Sequence, residues 1–255
     1  MTDNAAKPNE WTVVAGATGA IGRGIVDRML RRGLGVVAVA RTSSSLDLLA
    51  NGHSAVVVCE ADITSDESIG QIQAVLPRVC RAVINAAAAP MGGHVDDVSP
   101  EAVLAAMDVK VNGTLRLVRA TEPGFVQDSR VIALGGNLGY DPIPDAATAG
   151  VGNAALANLI RQLSRSLGSR GVTCHVVAPG PVWTDRLQVL IGDAARARGV
   201  PRDDVVAEFE ARSPIHRLVT VDEVSWAVDM LLAPEARALT GGTLLVDAGQ
   251  RTAIP

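Results

Sequence analysis

The stretch Trp11-Thr-Val-Val-Ala-Gly16-Ala-Thr-Gly19-Ala-Ile-Gly22 decides the fold. Its first five residues read as a short buried strand, and the three glycines then end that strand and open a helix. Glycine at such a junction allows a tight turn, close approach of a ligand to the backbone, and close packing of the helix on its sheet. The first amides of a helix have no partner inside it, and its dipole places positive potential at the same end, so the turn suits a pyrophosphate. A glycine motif alone is weak evidence. One that sits between a strand and a helix inside a βαβ unit is strong.

The same alternation continues outward along the chain. Strands are expected at Trp11–Ala15, Gly35–Ala40, Ala55–Cys59, Ala82–Asn85, Arg130–Leu134, Val172–Val177 and Thr243–Val246, and helices at Ile21–Arg32, Pro100–Ala120, Ala154–Leu167 and Val221–Leu232. This order predicts the α/β class, with a single doubly wound, Rossmann-type parallel sheet flanked by helices on both faces. No linker or repeat interrupts it, so residues 1–255 are expected to form one nucleotide-binding domain. The one change of texture is a charged, helix-like insertion at Thr184–Arg212, which would lie over the carboxyl ends of the strands as a substrate lid. Trp183, Leu187, Val189, Leu190 and Ile191 make its entry apolar, which points to a hydrophobic substrate, although packing on the core alone would give the same pattern.

Composition narrows the partners. Apolar residues make up 48% of the chain but include one Tyr and two Phe, which suits small-residue helices on a sheet better than a base-stacking surface. A formal charge of −4 gives no electrostatic reason to expect nucleic acid. Lysine occurs only at Lys7 and Lys110, against twenty-one arginines, which makes Lys110 an unusual choice at its position. Cys59, Cys80 and Cys174 are odd in number, lie in apolar runs and read as reduced, buried thiols. Neither they nor the four scattered histidines show metal-ligand spacing, so no metal is expected. The first ten residues are polar and no apolar run reaches the ~18 residues of a membrane span, so a cytoplasmic protein without membrane contact is expected.

The end of the second strand reports on nucleotide choice. An acidic residue there would accept hydrogen bonds from an adenosine ribose 2′-hydroxyl. This chain has Val39-Ala-Arg41-Thr42-Ser43 instead. An arginine with neighbouring hydroxyls suits a 2′-phosphate, so NADP(H) is favoured over NAD(H).

These segments resemble the short-chain dehydrogenase/reductase family, in its compact branch of about this length, and the resemblance covers nearly the whole chain. Asp62-Ile63 is similar to the family's adenine-contacting pair, and Asn85-Ala86-Ala-Ala88 to its Asn-Asn-Ala-Gly turn. Pro179-Gly180-Pro-Val182-Trp-Thr184 resembles the segment whose threonine holds the nicotinamide carboxamide, and Leu239–Gly249 the terminal strand. The resemblance implies a cofactor site of Gly16, Thr18, Gly19, Ile21, Gly22, Arg41, Thr42, Asp62, Ile63, Asn85, Ala86, Asn153, Pro179, Gly180, Val182 and Thr184. It also implies a homodimer or homotetramer paired through Pro100–Ala120 and Ala146–Gly168.

The family's Asn-Ser-Tyr-Lys tetrad is replaced throughout. Asp108-Val-Lys110-Val-Asn112-Gly113-Thr114 puts Lys110 at the asparagine position, with Gly136, Ala149 and Asn153 at the serine, tyrosine and lysine positions. A ketone accepting hydride needs a proton donor and an oxyanion partner, and neither glycine nor alanine supplies one. Three readings follow. Hydride transfer to a hydrophobic conjugated carbonyl or quinone could persist through Lys110, Tyr140 and Asn153, with His94 and Asp145 as further acid candidates. Tyr140 as a half-buried packing residue, His94 as a plain loop residue and His175 as a core histidine are the bland counterparts. Alternatively the chain binds NADP without redox chemistry, as a sensor or scaffold, or its pocket serves isomerisation, dehydration or cyclisation.

Overall fold

The computed structural model describes residues 8–50, 53–89 and 92–252; Lys7 lies outside the described residues, as does the Ser43 side chain. A seven-stranded parallel sheet is formed by β1 (Trp11–Ala15), β2 (Gly35–Ala40), β3 (Val56–Glu60), β4 (Cys80–Asn85), β5 (Phe125–Leu134), β6 (Thr173–Pro179) and β7 (Thr243–Val246), in the order β3-β2-β1-β4-β5-β6-β7. The order reverses between β1 and β4, and the crevice at the carboxyl ends of those strands is where such sheets bind ligands.

Helices α1 (Ala20–Arg31), α2 (Ser43–Ala50), α3 (Glu67–Val75), α4 (Pro100–Met107), α5 (Gly113–Thr121), α6 (Ala147–Leu167), α7 (Asp185–Arg198), α8 (Arg202–Ala211) and α9 (Val221–Met230) connect the strands. Side chains alternate across a strand, so each strand feeds two cores. Val13, Val37, Val83, Val131 and Val176 pack with Leu117 of α5 and Leu156 and Ile160 of α6. Their neighbours Val14, Val36, Ile84, Ile132 and Val177 pack with Ile25 and Met29 of α1 and Val224 and Val228 of α9. Burial on both faces explains why these strands read as continuous apolar runs.

The expected strands are all present, with ends moved by one to five residues at β3, β4, β5 and β6. The expected helix Pro100–Ala120 is instead α4 and α5 joined by a π turn at Asp108–Asn112. Asp108 accepts from Asn112 Nδ2 and Arg116 Nη1, both at 2.9 Å, which clasps that widened turn. Helix α6 begins at Ala147 rather than Ala154, and so carries positions 149 and 153. The insertion at 184–212 folds as α7 and α8 around a small core of Leu187, Ile191, Ala195, Val205 and Leu218. Leu187 and Ile191 therefore pack inward, while Trp183, Val189 and Leu190 are exposed. Among the described residues no helix is long and apolar enough to cross a membrane.

One polar residue joins the layers. Arg130 on β5 is fully buried, and its guanidinium donates to Leu231 O (2.9 Å) and Ala233 O (3.3 Å) beyond α9, and to Asp128 O (2.7 Å). It thus satisfies carbonyls that the end of α9 leaves without helical partners. Arg130→Leu is expected to lower the unfolding free energy by about 3 kcal/mol, because buried carbonyls lose their donor. Urea denaturation measures this, and an unchanged stability would contradict the assigned role.

Candidate active site

The nucleotide end is built by close approach. Gly16 adopts φ +74°, and a Cβ there would lie 2.7 Å from Ala87 N and Cα on the loop after β4. A Cβ on Gly22 would lie 2.1 Å from Gly16 O, so helix and turn are in contact through bare backbone. Gly19 caps α1 without a side-chain hydrogen bond, and no acidic residue stands in the first turn. Amides there remain for an anion, with Thr18 and Ile21 partly exposed beside them. This cradle fits a dinucleotide pyrophosphate.

Arg41 and Thr42 are exposed at the end of β2. Across from them Asp62 Oδ1 accepts from Thr64 N (3.0 Å) and Thr64 Oγ1 (2.8 Å). The bond from the Thr64 amide, with the Arg41 charge as a lesser cause, holds the Asp62 carboxyl below its usual range. Ile63 is buried against Gly113. Asn85 is committed to the protein. Its Nδ2 donates to Thr114 Oγ1 (2.9 Å) and Val109 O (3.2 Å), and its Oδ1 accepts from Ala87 N (3.1 Å). It therefore shapes the Ala86–Ala87 turn rather than offering its amide to a ligand. At the other end Gly180 N donates to Val246 O (3.1 Å), Val182 bridges Val219, and the Thr184 hydroxyl caps α7 by accepting from Leu187 N (3.3 Å). These contacts fix the Pro179–Thr184 segment beside the ends of β6 and β7.

The four replaced positions lie on the π turn, just beyond β5 and on α6. The π turn carries Lys110, whose Nζ donates to Leu134 O (2.7 Å) and Ala87 O (3.2 Å), at the carboxyl ends of β5 and β4. The residue keeps some exposed surface, but its ammonium is surrounded by protein. That burial, with the positive charge of Arg186 as a second cause, lowers its pKa to about 8. Ala149 and Asn153 are buried one turn apart on α6. The Asn153 amide occupies the space a serine would need: a Cβ on Gly136 would lie 2.8 Å from Asn153 Nδ2. A Cβ on Gly139 would be 2.8 Å from Asn153 Cβ and 2.9 Å from Ala154 N. The glycines and the asparagine are thus fitted to one another.

The remaining acid candidates lie elsewhere. Tyr140 was expected as a replacement donor, but its hydroxyl bonds Thr243 Oγ1 at the start of β7, and its ring packs on the core. Burial moves its pKa up. It is a packing residue pointed away from the strand ends. His94 lies in a loop, 3.4 Å from an Asp96 carboxylate oxygen and 3.9 Å from Asp145. His175 is buried on β6 with Nε2 2.9 Å from Thr173 Oγ1, and burial lowers its pKa to about 4. A cavity of about 380 Å³ beside His175, Arg161 and Thr243 opens at the amino end of β7 and belongs to neither half of the site.

One residue at the site has no sequence signal. Arg186, in the first turn of α7, reaches Ala89 O with Nη2 (3.4 Å) and lends its charge to the surroundings of Lys110. It is one arginine among twenty-one, and no spacing rule marks it. For the fitted pair, Gly136→Ser is expected to cost about 1–2 kcal/mol by overpacking against Asn153. In a double-mutant cycle Asn153→Ala should relieve that cost, and strict additivity would contradict the fit.

Comparison with known proteins gives the family and the fold. Residues 16–251 match the family model described as enoyl-(acyl carrier protein) reductase. A 2-(S)-hydroxypropyl-CoM dehydrogenase of Xanthobacter autotrophicus is 29% identical, over 94% of this chain and 96% of that protein. An uncharacterised short-chain type dehydrogenase/reductase of Sinorhizobium fredii is 27% identical over 98% of the chain, which spans only 45% of that longer relative. A crystal structure of a short-chain dehydrogenase family protein from Francisella tularensis superimposes with a TM-score of 0.85 at 20% identity, covering 96% of this chain and 99% of its own. The glycine cradle, the strand order and these matches agree, and the chain belongs to the short-chain dehydrogenase/reductase family of oxidoreductases.

Proposed function

We propose that the protein is an NADPH-dependent reductase of a conjugated carbonyl or quinone-like compound, with Lys110 in place of the missing acid. The observation that carries this reading is the Lys110 ammonium, held at the strand ends by two carbonyls with a pKa of about 8. An ammonium has three N–H donors, and two are engaged. The third is left for a substrate oxygen.

Reduced nicotinamide bound at this end supplies a hydride. Lys110 stabilises the negative charge that develops on the substrate oxygen and passes a proton to it. Conjugation spreads the product charge and lowers the demand on the acid. The Asn153 amide, on the neighbouring helix face, supports the nicotinamide ribose. Arg41 selects the 2′-phosphate, because the exposed end of β2 offers a guanidinium in place of a carboxylate. Trp183, 39% exposed just before α7, with Val189 and Leu190 on α7, gives that helix an apolar rim suited to covering such a substrate. Leu104 and Val151, exposed on the adjacent helices α4 and α6, support pairing of copies of the chain through that face.

A second reading, NADP binding without turnover, is favoured by Gly136 and Ala149, which have no side-chain donor. Lys110→Met separates the two. It is expected to lower kcat for NADPH oxidation by a quinone by about 10²–10⁴-fold. Lysine is the active species only while protonated, so the wild-type rate should be level below pH about 8 and fall above it. The variant should lose that limb. A rate that Lys110→Met leaves unchanged would sink the assignment. Arg41→Asp is expected to weaken NADPH binding by about tenfold or more while sparing NADH. Equal loss for both nucleotides, measured by fluorescence titration, would contradict the selectivity.

A further inference from the structure

The site holds two cations and no acid. Lys110 donates only to carbonyls, and Arg186 likewise touches a carbonyl, that of Ala89. Asp185, beside Arg186 in sequence, is exposed in the first turn of α7 and, among the described residues, forms no ion pair with it; the other carboxylates of these loops are occupied or turned elsewhere. Asp141 accepts from Thr252, Asp145 stands by His94, and Asp108 is bound by Arg116 and Asn112. Among the described residues neither Lys110 nor Arg186 forms a salt bridge; of the other arginines of the insertion, Arg196 pairs with Asp193 and Arg198 with Glu208, while Arg202 bonds Gln188 and Arg212 lies over Phe209. Lys110 and Arg186 reach carbonyls two residues apart on the loop after β4, Arg186 from the exposed side; like charges so placed repel, and an anion between them removes that penalty. The planar fork of an arginine also matches a carboxylate in two hydrogen bonds.

We propose that the substrate is an oxo acid, whose carboxylate is held by Arg186 while its carbonyl oxygen meets Lys110. This rests on the reductase reading and amends its purely apolar substrate: Trp183, Val189 and Leu190 take the hydrocarbon body, and Arg186, exposed on the same rim, takes the charge. Arg186 is on the insertion that follows the Pro179–Thr184 segment, whereas Arg41 and the Gly16–Gly22 turn lie at the nucleotide's phosphate groups. The specificity charge and the cofactor charge are therefore carried by different parts of the chain.

The test uses matched pairs, benzoylformate with its methyl ester and 3-benzoylpropionate with its methyl ester, which differ in charge and little in shape. For at least one pair the wild type should prefer the acid in kcat/KM by about tenfold or more, the size expected of a charge-assisted contact. Arg186→Gln should collapse that ratio, and Arg196→Gln on the same helix should keep it. Equal use of acid and ester by the wild type, or a preference that survives Arg186→Gln, would overturn the proposal. So would a loss of NADPH affinity in Arg186→Gln with the ratio intact, since Arg186 would then serve the cofactor. Calorimetric binding of benzoylformate and of its ester to the NADP⁺-loaded protein gives a reading that needs no turnover. Acid-selective binding lost in Arg186→Gln supports the anion site even where no acceptor oxidises NADPH, and that second result would count against the reductase reading alone. Absence of acid-selective binding removes the anion site whatever the rates.

Discussion

A lysine ammonium held between the carbonyls of Ala87 and Leu134 is the contact on which the arrangement of this site depends. It fastens the end of β4, which with β1 borders the crevice where the sheet order reverses, to the end of the neighbouring strand β5. It also requires a particular backbone to deliver it. The π turn widens the helix at Asp108–Asn112 and presents Lys110 to the strand ends, while Asn112 turns outward to Asp108. Asn85 reinforces the same junction by binding Val109 O and Thr114 Oγ1 around the turn. A buried ammonium without a carboxylate partner is costly, and the lowered pKa is the form that cost takes. A structural bridge between two carbonyls could be made by a neutral amide at less expense, so the charge points to chemistry.

The other replaced positions are consistent with that displacement. With a lysine entering from the π turn, position 153 needs no cation, and an asparagine there folds its amide against the bare backbone of Gly136. A side chain at 136 would displace the end of the Asn153 side chain, so these two positions are packed against each other. The nucleotide half borders this rearrangement: the Gly16 turn packs on Ala87, whose carbonyl holds Lys110, and a Cβ on Gly136 would lie 3.7 Å from Pro179 O, while the Asp62 turn is closed locally by Thr64.

Much of this was legible from the residues because it is written in local pattern. Apolar runs bounded by glycine and polar turns marked every strand, and Gly16, Gly19 and Gly22 marked the switch point. What the pattern concealed was of two kinds. The π turn adds one residue to a helical turn, and the apolar spacing across Pro100–Ala120 hardly changes when that happens, so a continuous helix was the natural reading. Long-range partners leave no trace either. The direction of Tyr140 is set by Thr243, 103 positions away, and the role of Arg186 by Ala89, 97 positions away. Asn85 looked like a ligand contact because its neighbours resemble one, and only the hydrogen bonds to Thr114 and Val109 show its amide already taken.

The scarcity of lysine makes the central claim directly measurable. Lys7 and Lys110 are the only lysines in the chain, so protein labelled with ¹⁵N at the lysine side chains gives two ammonium signals whose titration can be followed separately by NMR. Assignment follows from the Lys110→Met variant, which keeps one signal. The account predicts that the signal lost in that variant titrates near pH 8, about two units below an unperturbed lysine. Titration of both signals above pH 10 would show that Lys110 is an ordinary solvated cation, and the acid assigned to this site would have to be sought elsewhere.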